Sequence, residues 1–105
     1  MKEVTALELK RMIAEGEPFQ LIDVREPYEA EICSIGGTLI PMGEVLERLA
    51  EIRSDVPVVV HCKSGARSAA VIEALSTRYG FTNLVNLKGG ITAYSAEADP
   101  AIRCE

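Results

Sequence analysis

The chain has 105 residues and a formal net charge of −5, and 48% of its residues are hydrophobic. A chain of this length can bury one core, so we expect a single domain over residues 1–105. The acidic balance argues against a nucleic-acid surface, and no apolar run approaches the roughly 20 residues that cross a bilayer. Because the opening MKEVTALELK lacks the apolar stretch of a secretory signal, we expect a cytoplasmic protein.

The first helix is predicted to end at Gly16. Thr5 and Glu8 fit a capping box, in which each residue satisfies a free backbone N–H of the other. Apolar residues at helical spacing follow, and they predict the buried face of this helix. That face contains Leu7, Leu9, Met12 and Ile13.

The middle of the chain predicts two strands and two helices. Residues 19–24 form a short apolar run that suits a buried strand, and Pro27 is typical of the first turn of the helix that follows. The segment 36–41 predicts a turn and a short strand. Residues 43–52 predict an α-helix with one apolar face. That face contains Val45, Leu46, Leu49 and Ile52.

The remaining elements continue the alternation of strands and helices. The β-branched run 56–61 predicts a fully buried strand, and 66–79 predicts a helix closed by Gly80. Residues 83–87 predict a last strand, and 91–97 a last helix. This order indicates an α/β fold with a mainly parallel sheet and helices on both faces. Sites in such sheets lie beyond the carboxyl ends of the strands, where Cys62 is placed.

The three cysteines predict neither disulfides nor a metal centre. They are an odd number, at spacings that match neither a zinc ribbon nor a Cys-x-x-Cys pair. His61 is the single histidine, so we expect no metal ligand set. Cys33 is interpreted as a packing residue at a helix end and Cys104 as a tail residue, because neither lies at the exit of a strand among cations and a glycine.

Cys62 differs from these two because it lies between a strand and a helix. The loop CKSGAR follows the strand, and its backbone N–H groups and the helix N-terminus favour negative charge. Lys63, Arg67 and the helix dipole should each lower the pKa of the Cys62 thiol, which indicates a nucleophile. The alternative is an inert buried thiol, but that reading suits a mid-strand position better. His61 is expected to pack on the opposite face of the strand rather than act as a base.

The length of this loop separates two chemistries. Cys62 and Arg67 enclose four residues, one fewer than in the protein tyrosine and dual-specificity phosphatases, and this loop resembles that of the rhodanese sulfurtransferases. LIDVREPYE (Leu21 to Glu29) and NLKGGITAY (Asn86 to Tyr94) resemble the motifs near the two ends of a rhodanese domain. The likeness therefore extends over nearly the whole chain. Within the family, the chain is most similar to the domain that follows adenylyltransferases activating ubiquitin-like sulfur carriers.

The resemblance implies a fold and an activity. It implies a three-layer sandwich with a five-stranded sheet, and a persulfide carried by Cys62 without a cofactor. Asp23 and Arg25 would be framework residues that tie loops together, while Arg67 and Lys63 would bind an anionic donor such as thiosulfate. The acceptor would be a thiol, cyanide or a sulfur carrier that works with an adenylyltransferase. The residues whose backbone amides would hold the persulfide are Lys63, Ser64, Gly65, Ala66, Arg67 and Ser68.

Two other functions remain open at this point. A phosphatase or arsenate reductase would need a wider loop and a general acid for the leaving oxygen. A non-catalytic interaction module of the same fold should have lost Cys62 or the cations of the loop, and both are present. The preference for thiosulfate over a donor such as mercaptopyruvate rests on the charge of the loop.

Overall fold

The computed structural model describes residues 1–104, in which five parallel strands form one sheet. The strands are β1 (Glu3–Val4), β2 (Gln20–Asp23), β3 (Thr38–Leu39), β4 (Val58–His61) and β5 (Leu84–Leu87). The helices are α1 (Ala6–Ala14), α2 (Pro27–Ile32), α3 (Ala66–Tyr79) and α4 (Gly90–Glu97). The α/β three-layer sandwich with a five-stranded sheet is therefore confirmed.

The order of the strands across the sheet is β1-β5-β4-β2-β3. The central strand, β4, pairs with β2 from Gln20↔Val58 to Asp23↔His61, and with β5 from Val58↔Leu84 onward. All pairs are parallel, so the carboxyl ends of the strands lie along the same edge. The chain leaves β4 at this edge, directly before Cys62.

Alternate residues of β4 supply the two cores of the sandwich. Val58, Val60 and Cys62 belong to a buried cluster that α3 helps to form through Val71, Ile72 and Leu75. Val59 belongs to the cluster on the other face, together with residues of α1 and α4. Because successive side chains of a strand point to opposite faces, a continuous apolar run buries both sides of the central strand. The described residues include no helix long and apolar enough to cross a membrane.

The predicted α-helix over residues 43–52 is wrong. Two short 3-10 helices, Met42–Glu47 and Leu49–Glu51, occupy this segment and are interrupted at Arg48. Leu46, which the helical pattern placed on the buried face, is 51% exposed. The other residues of that face, Val45, Leu49 and Ile52, still pack on the core, so the short 3-10 turns keep most of the predicted buried side.

The first helix has its predicted capping box but ends at Ala14, before Gly16, and only Leu9 and Met12 of its predicted face pack on the core. Ala6 and Leu9 are buried, whereas Leu7 and Ile13 are 58% and 45% exposed. The preceding strand β1 was not predicted from the pattern, because two residues are too short to show an alternation. It pairs with β5 at the edge of the sheet.

The prediction of three unpaired cysteines is also wrong, because Cys33 and Cys104 form a disulfide. The two residues are 71 positions apart in the chain, and their Cα atoms lie 5.2 Å apart. Their spacing matches no sequence motif, since the pairing depends on how the segment after α4 returns to the end of α2. Cys62 is free and buried.

Candidate active site

The loop between β4 and α3 encloses the thiol of Cys62. The part of the loop outside regular structure runs from Cys62 to Gly65, and α3 begins at Ala66. Gly65 has φ of 106°, in the left-handed region that favours glycine. This turn brings the first turn of α3 back over Cys62, so the helix N-terminus faces the sulfur.

Three hydrogen-bonding groups converge on Cys62 Sγ. The backbone N–H of Gly65 donates to it over 3.1 Å, and that of Ser68 over 3.5 Å. The hydroxyl oxygen of Ser68 is 3.4 Å away. Cys62 is 1% exposed, so these groups rather than bulk water would stabilise the negative charge of a thiolate.

The pKa of the Cys62 thiol is lowered below its ordinary value. Burial on its own raises the pKa, but hydrogen bonds from the side chain and backbone of Ser68 and from the backbone of Gly65 and Ser64 outweigh it. The expected lowering of this pKa is therefore present, although its main cause is this ring of donors rather than the cations of Lys63 and Arg67.

Ser68 and Asn86 form a buried polar network behind the sulfur. The Ser68 hydroxyl donates to Asn86 Oδ1 over 2.6 Å, and Asn86 Nδ2 donates to the carbonyl of Gly65 over 3.2 Å. A hydroxyl has one proton, so it can turn from Asn86 toward Cys62 when a thiolate forms. Asn86 was missed in the sequence because it lies inside the apolar run of β5, and a buried polar residue in a strand was the available signal.

The start of α4 holds the other side of the loop. The N–H groups of Ile91 and Thr92 donate to the carbonyls of Cys62 and Lys63 over 2.9 and 3.1 Å. A Cβ atom at Gly90 would overlap those two carbonyl groups, and its φ of 61° is also left-handed. The second glycine of NLKGGITAY therefore allows a close approach between two backbones, which was not foreseen.

Arg67 makes an ion pair with Glu29 and no hydrogen bond to Cys62. Its two terminal nitrogens donate to the two carboxylate oxygens of Glu29 over 2.7 and 2.9 Å. These hydrogen bonds lower the pKa of Glu29 to about 2. A thiolate at Cys62 adds to the stabilisation of the Arg67 cation. The arginine therefore closes the loop against α2, and it supports the thiolate only through space.

The remaining residues of the predicted site lie at the surface. Lys63, Ser64 and Ala66 are exposed, and Ser64 acts on the sulfur through its backbone N–H. Lys63 lies at the rim of a cleft of about 130 Å³. The lining of this cleft also includes Arg25, Tyr28, Glu29, Ile32, Ile91 and both cysteines of the disulfide.

Arg25 has the framework role that the resemblance implied. It is 2% exposed and pairs with Asp23 through Nη2 and Oδ2, which are 2.7 Å apart. The same nitrogen donates to the carbonyl of Cys33 over 2.8 Å, and Nη1 donates to that of Glu29 over 3.3 Å. Arg25 thus joins the end of β2 to both ends of the segment from Glu29 to Cys33.

His61 lies beside Cys62 in the chain but has a different environment. Its side chain is fully buried, and neither ring nitrogen has a hydrogen-bond partner among residues 1–104. The nearest acidic atom is Asp23 Oδ2, 4.0 Å from Nε2, which is too far for a hydrogen bond. Burial lowers the pKa of His61, so the imidazole is neutral at neutral pH. It makes no hydrogen bond to the Cys62 thiol, as the packing interpretation expects.

Comparisons with known proteins agree with this arrangement. The model of the rhodanese-like domain matches residues 5–97. A sulfurtransferase from Allochromatium vinosum is 33% identical over 106 residues, covering 100% of this chain and 98% of that protein. The probable adenylyltransferase/sulfurtransferase MoeZ from Mycobacterium tuberculosis is 38% identical over 100 residues, which are 92% of this chain and 25% of MoeZ. This chain thus spans about a quarter of the length of MoeZ.

A solved structure extends the likeness to three dimensions. A rhodanese-related protein from Thermoplasma volcanium superposes with a TM-score of 0.83 at 33% identity, with 100% of each chain covered. Sequence and fold therefore point to the same group of proteins, and the loop around Cys62 lies inside the matched region. The chain belongs to the rhodanese-like domain family, and its relatives in that family include a small sulfurtransferase.

Proposed function

We propose that this domain takes sulfane sulfur from thiosulfate or a persulfide donor onto Cys62 and passes it to an acceptor. The observation that carries the proposal is the ring of donors around Cys62 Sγ, from Gly65 N, Ser68 N and the Ser68 hydroxyl. Such a ring stabilises a thiolate, which is the nucleophilic form of cysteine. The backbone amides of the loop then hold the added sulfur, which is also anionic as a persulfide.

The first step is a displacement at the outer sulfur of the donor. The Cys62 thiolate attacks this sulfur, the S–S bond of thiosulfate breaks, and sulfite leaves with the bonding electron pair. Lys63, exposed at the rim of the cleft, supplies positive charge for the departing sulfite. Arg67 supplies a second cation at the loop while it remains paired with Glu29.

The second step returns Cys62 to its starting form. A nucleophile such as cyanide or a thiolate attacks the terminal sulfur of the persulfide, and the Cys62 thiolate leaves with the electron pair. The same donors that stabilised the attacking thiolate now stabilise the leaving thiolate. One site therefore serves both halves of the reaction without a general base, and His61 is not needed.

The proposed site residues divide into two kinds. Cys62 is the catalytic nucleophile. The substrate-binding group comprises the backbone and side chains of Lys63, Ser64, Gly65, Ala66, Arg67 and Ser68. A phosphatase or arsenate reductase is not favoured, since the chain belongs to a family with sulfurtransferase members and the short loop closes around a single sulfur atom.

The intact mass of the protein after thiosulfate treatment tests this function. We expect a gain of one sulfur atom, which cyanide removes as thiocyanate. Cys62→Ser should abolish both the gain and thiocyanate formation, since a hydroxyl is a poor nucleophile for sulfur. The matched control is the double variant Cys33→Ser/Cys104→Ser, which keeps Cys62 and should still be loaded. Loading that persists in Cys62→Ser would show that the nucleophile is elsewhere.

We further propose that the acceptor is the flexible carboxyl-terminal tail of a ubiquitin-like sulfur carrier. Support comes from relatives that combine adenylyltransferase and sulfurtransferase in one chain, and from a thiol that only a thin, extended acceptor can reach. The terminal sulfur of the persulfide attacks the acyl carbon of a tail activated as an acyl-adenylate, and AMP leaves. Two electrons from a dithiol reductant then cleave the S–S bond to Cys62, which releases the thiocarboxylate and returns the Cys62 thiolate. Because adenylation consumes ATP, we place this activity in the cytoplasm.

A reconstitution tests the acceptor separately from the transferase activity. The domain, its adenylyltransferase, the carrier, ATP, thiosulfate and dithiothreitol are combined, and the mass of the carrier is read. We expect thiocarboxylate formation that requires Cys62. Equal formation with Cys62→Ala would exclude the carrier as the acceptor, even if cyanide had confirmed sulfur transfer.

A further inference from the structure

The Cys33–Cys104 disulfide lies in the wall of the cleft beside the Cys62 loop. Both cysteines contact this cleft, which Lys63 and Arg25 also line. Neither cysteine has a part in the sulfur transfer proposed above. The disulfide is the second reactive sulfur group of the chain, and its position next to the rim residue Lys63 links it to the loop.

The two sulfur atoms of the disulfide have different environments. Cys33 is 8% exposed, and its Sγ is 3.5 Å from Nη1 of Arg25, which can donate a hydrogen bond to it. Cys104 is half-buried and also lines a second, open cleft beside Arg103 and Pro100. An incoming thiol therefore has access to the sulfur of Cys104, whereas the sulfur of Cys33 is the one that a cationic donor stabilises.

This asymmetry decides the direction of thiol–disulfide exchange. The rate of exchange depends on access to the attacked sulfur and on how well the leaving thiolate is stabilised. Attack at Cys104 expels the Cys33 thiolate toward Arg25, so both factors favour the same direction. Attack at Cys33 would meet a buried sulfur and expel the Cys104 thiolate, to which no side chain within residues 1–104 donates a hydrogen bond.

We propose that Cys33–Cys104 is a thiol–disulfide exchange site for a small thiol, with Cys104 as the attacked residue. A thiolate attacks Cys104 Sγ, the bond to Cys33 breaks, and Cys33 leaves as a thiolate. A second thiol then attacks the outer sulfur of the mixed disulfide and releases the Cys104 thiolate. The protein disulfide gains two electrons, and two small thiols become one small disulfide.

Reduction should change the cleft without unfolding the domain. Ile102 is held independently of the disulfide, because its carbonyl accepts from the Ser95 hydroxyl over 2.6 Å and its side chain packs on the core. The described residues released by reduction are therefore Arg103 and Cys104. Removal of Cys104 from the cleft wall opens the side of the loop where Lys63 lies. The redox state of the pair should thus control how an anionic donor reaches Lys63, the cation at the rim of the loop.

The exchange itself is tested in the Cys62→Ser variant, in which the pair supplies the only thiols. The oxidised protein is treated with reduced glutathione, trapped with iodoacetamide and mapped by peptide mass. We expect glutathione on Cys104 and the carbamidomethyl group on Cys33. Glutathione found mainly on Cys33, or reduction that occurs only in denaturant, would overturn the proposal.

The effect on the cleft rests on the proposed sulfurtransferase function and is measured separately. Initial rates of thiocyanate formation are compared for the oxidised protein and for Cys104→Ser, with Cys33→Ser as the matched control that also lacks the disulfide. We expect both variants to have a KM for thiosulfate lower by about 5-fold or more, the smallest usual coupling between two sites. Equal KM values would overturn the link to the cleft. If no protein forms thiocyanate, the sulfurtransferase proposal fails while the glutathione map still decides the exchange site.

Discussion

Two adjacent residues at the end of β4, His61 and Cys62, lie on opposite faces of the sheet and have different surroundings. His61 and Cys62 are both almost completely buried. Cys62 meets three hydrogen-bonding groups, whereas the ring nitrogens of His61 have none within the described part of the chain. The pKa of both groups is lowered, but for different reasons. For His61 the loss of water disfavours the charged form, while for Cys62 the donors favour it.

Whether a buried group at this edge carries a charge therefore depends on the hydrogen-bond donors around it and not on burial alone. An isolated buried group becomes neutral, and a buried group inside a ring of N–H donors becomes charged. The loop and α3 supply this ring on one side only. Four substitutions test or sharpen this difference, in decreasing order of expected effect.

The largest effect is expected from Arg67→Ala, compared with Lys63→Ala. Arg67 both closes the loop through Glu29 and places a cation near the sulfur, so its loss should lower turnover by about 100-fold. Lys63 is exposed at the rim, so Lys63→Ala should mainly raise the KM for thiosulfate. Steady-state kinetics with thiosulfate and cyanide measure both. Equal losses of turnover would contradict the division between the two cations.

Gly90→Ala should destabilise the loop on the Cys62 side, and Gly16→Ala is its matched control. Both glycines have positive φ, but only at Gly90 would the new Cβ overlap backbone atoms, those of Cys62 and Lys63. We expect Gly90→Ala to lower the free energy of unfolding by about 1–3 kcal/mol more than Gly16→Ala does. Chemical denaturation measures this difference. Equal costs would mean that α4 does not constrain the loop.

Ser68→Ala should raise the pKa of the Cys62 thiol, with Ser64→Ala as the control. Ser68 contributes its side chain to the ring, whereas Ser64 contributes its backbone N–H, which the substitution keeps. Ser68→Ala also removes a partner of buried Asn86, at a cost of about 1–3 kcal/mol. The pH dependence of iodoacetamide alkylation reads the thiol directly, in proteins carrying Cys33→Ser and Cys104→Ser. An unchanged profile would refute the role of the hydroxyl.

The smallest effect is expected on the His61 side. Its pKa is lower in the folded protein than its ordinary value of 6.5, so the unfolded chain binds the proton more readily. The free energy of unfolding should therefore fall as the pH drops below 6.5, and stop falling below the folded pKa. His61→Leu should remove this contribution, with a change within about 1 kcal/mol at pH 7.5. Urea denaturation between pH 5 and 8 measures it, and an identical pH slope in the variant would contradict the assignment.

Much of the fold and part of the site were predictable from local patterns. The apolar runs of β2, β4 and β5 and the capped helices α1 and α3 are encoded by adjacent residues. The loop CKSGAR is also contiguous, so the position of Cys62 between a strand and a helix N-terminus could be inferred before any contact was known. Periodicity and capping act within a few residues, and a sequence therefore displays them directly.

Other features depended on contacts between distant segments. The pairing of Cys33 with Cys104, the hydrogen bond of Ser68 to Asn86 and the approach of Gly90 to the loop each join separate elements. The partner of Arg67 is likewise 38 positions away, in α2. Side-chain chemistry limits which partners are possible, but the packing of the layers selects among them. The sequence alone thus determined where the free thiol of Cys62 lies, and the tertiary structure decided which groups surround it, because those groups meet only when the sheet and helices are assembled.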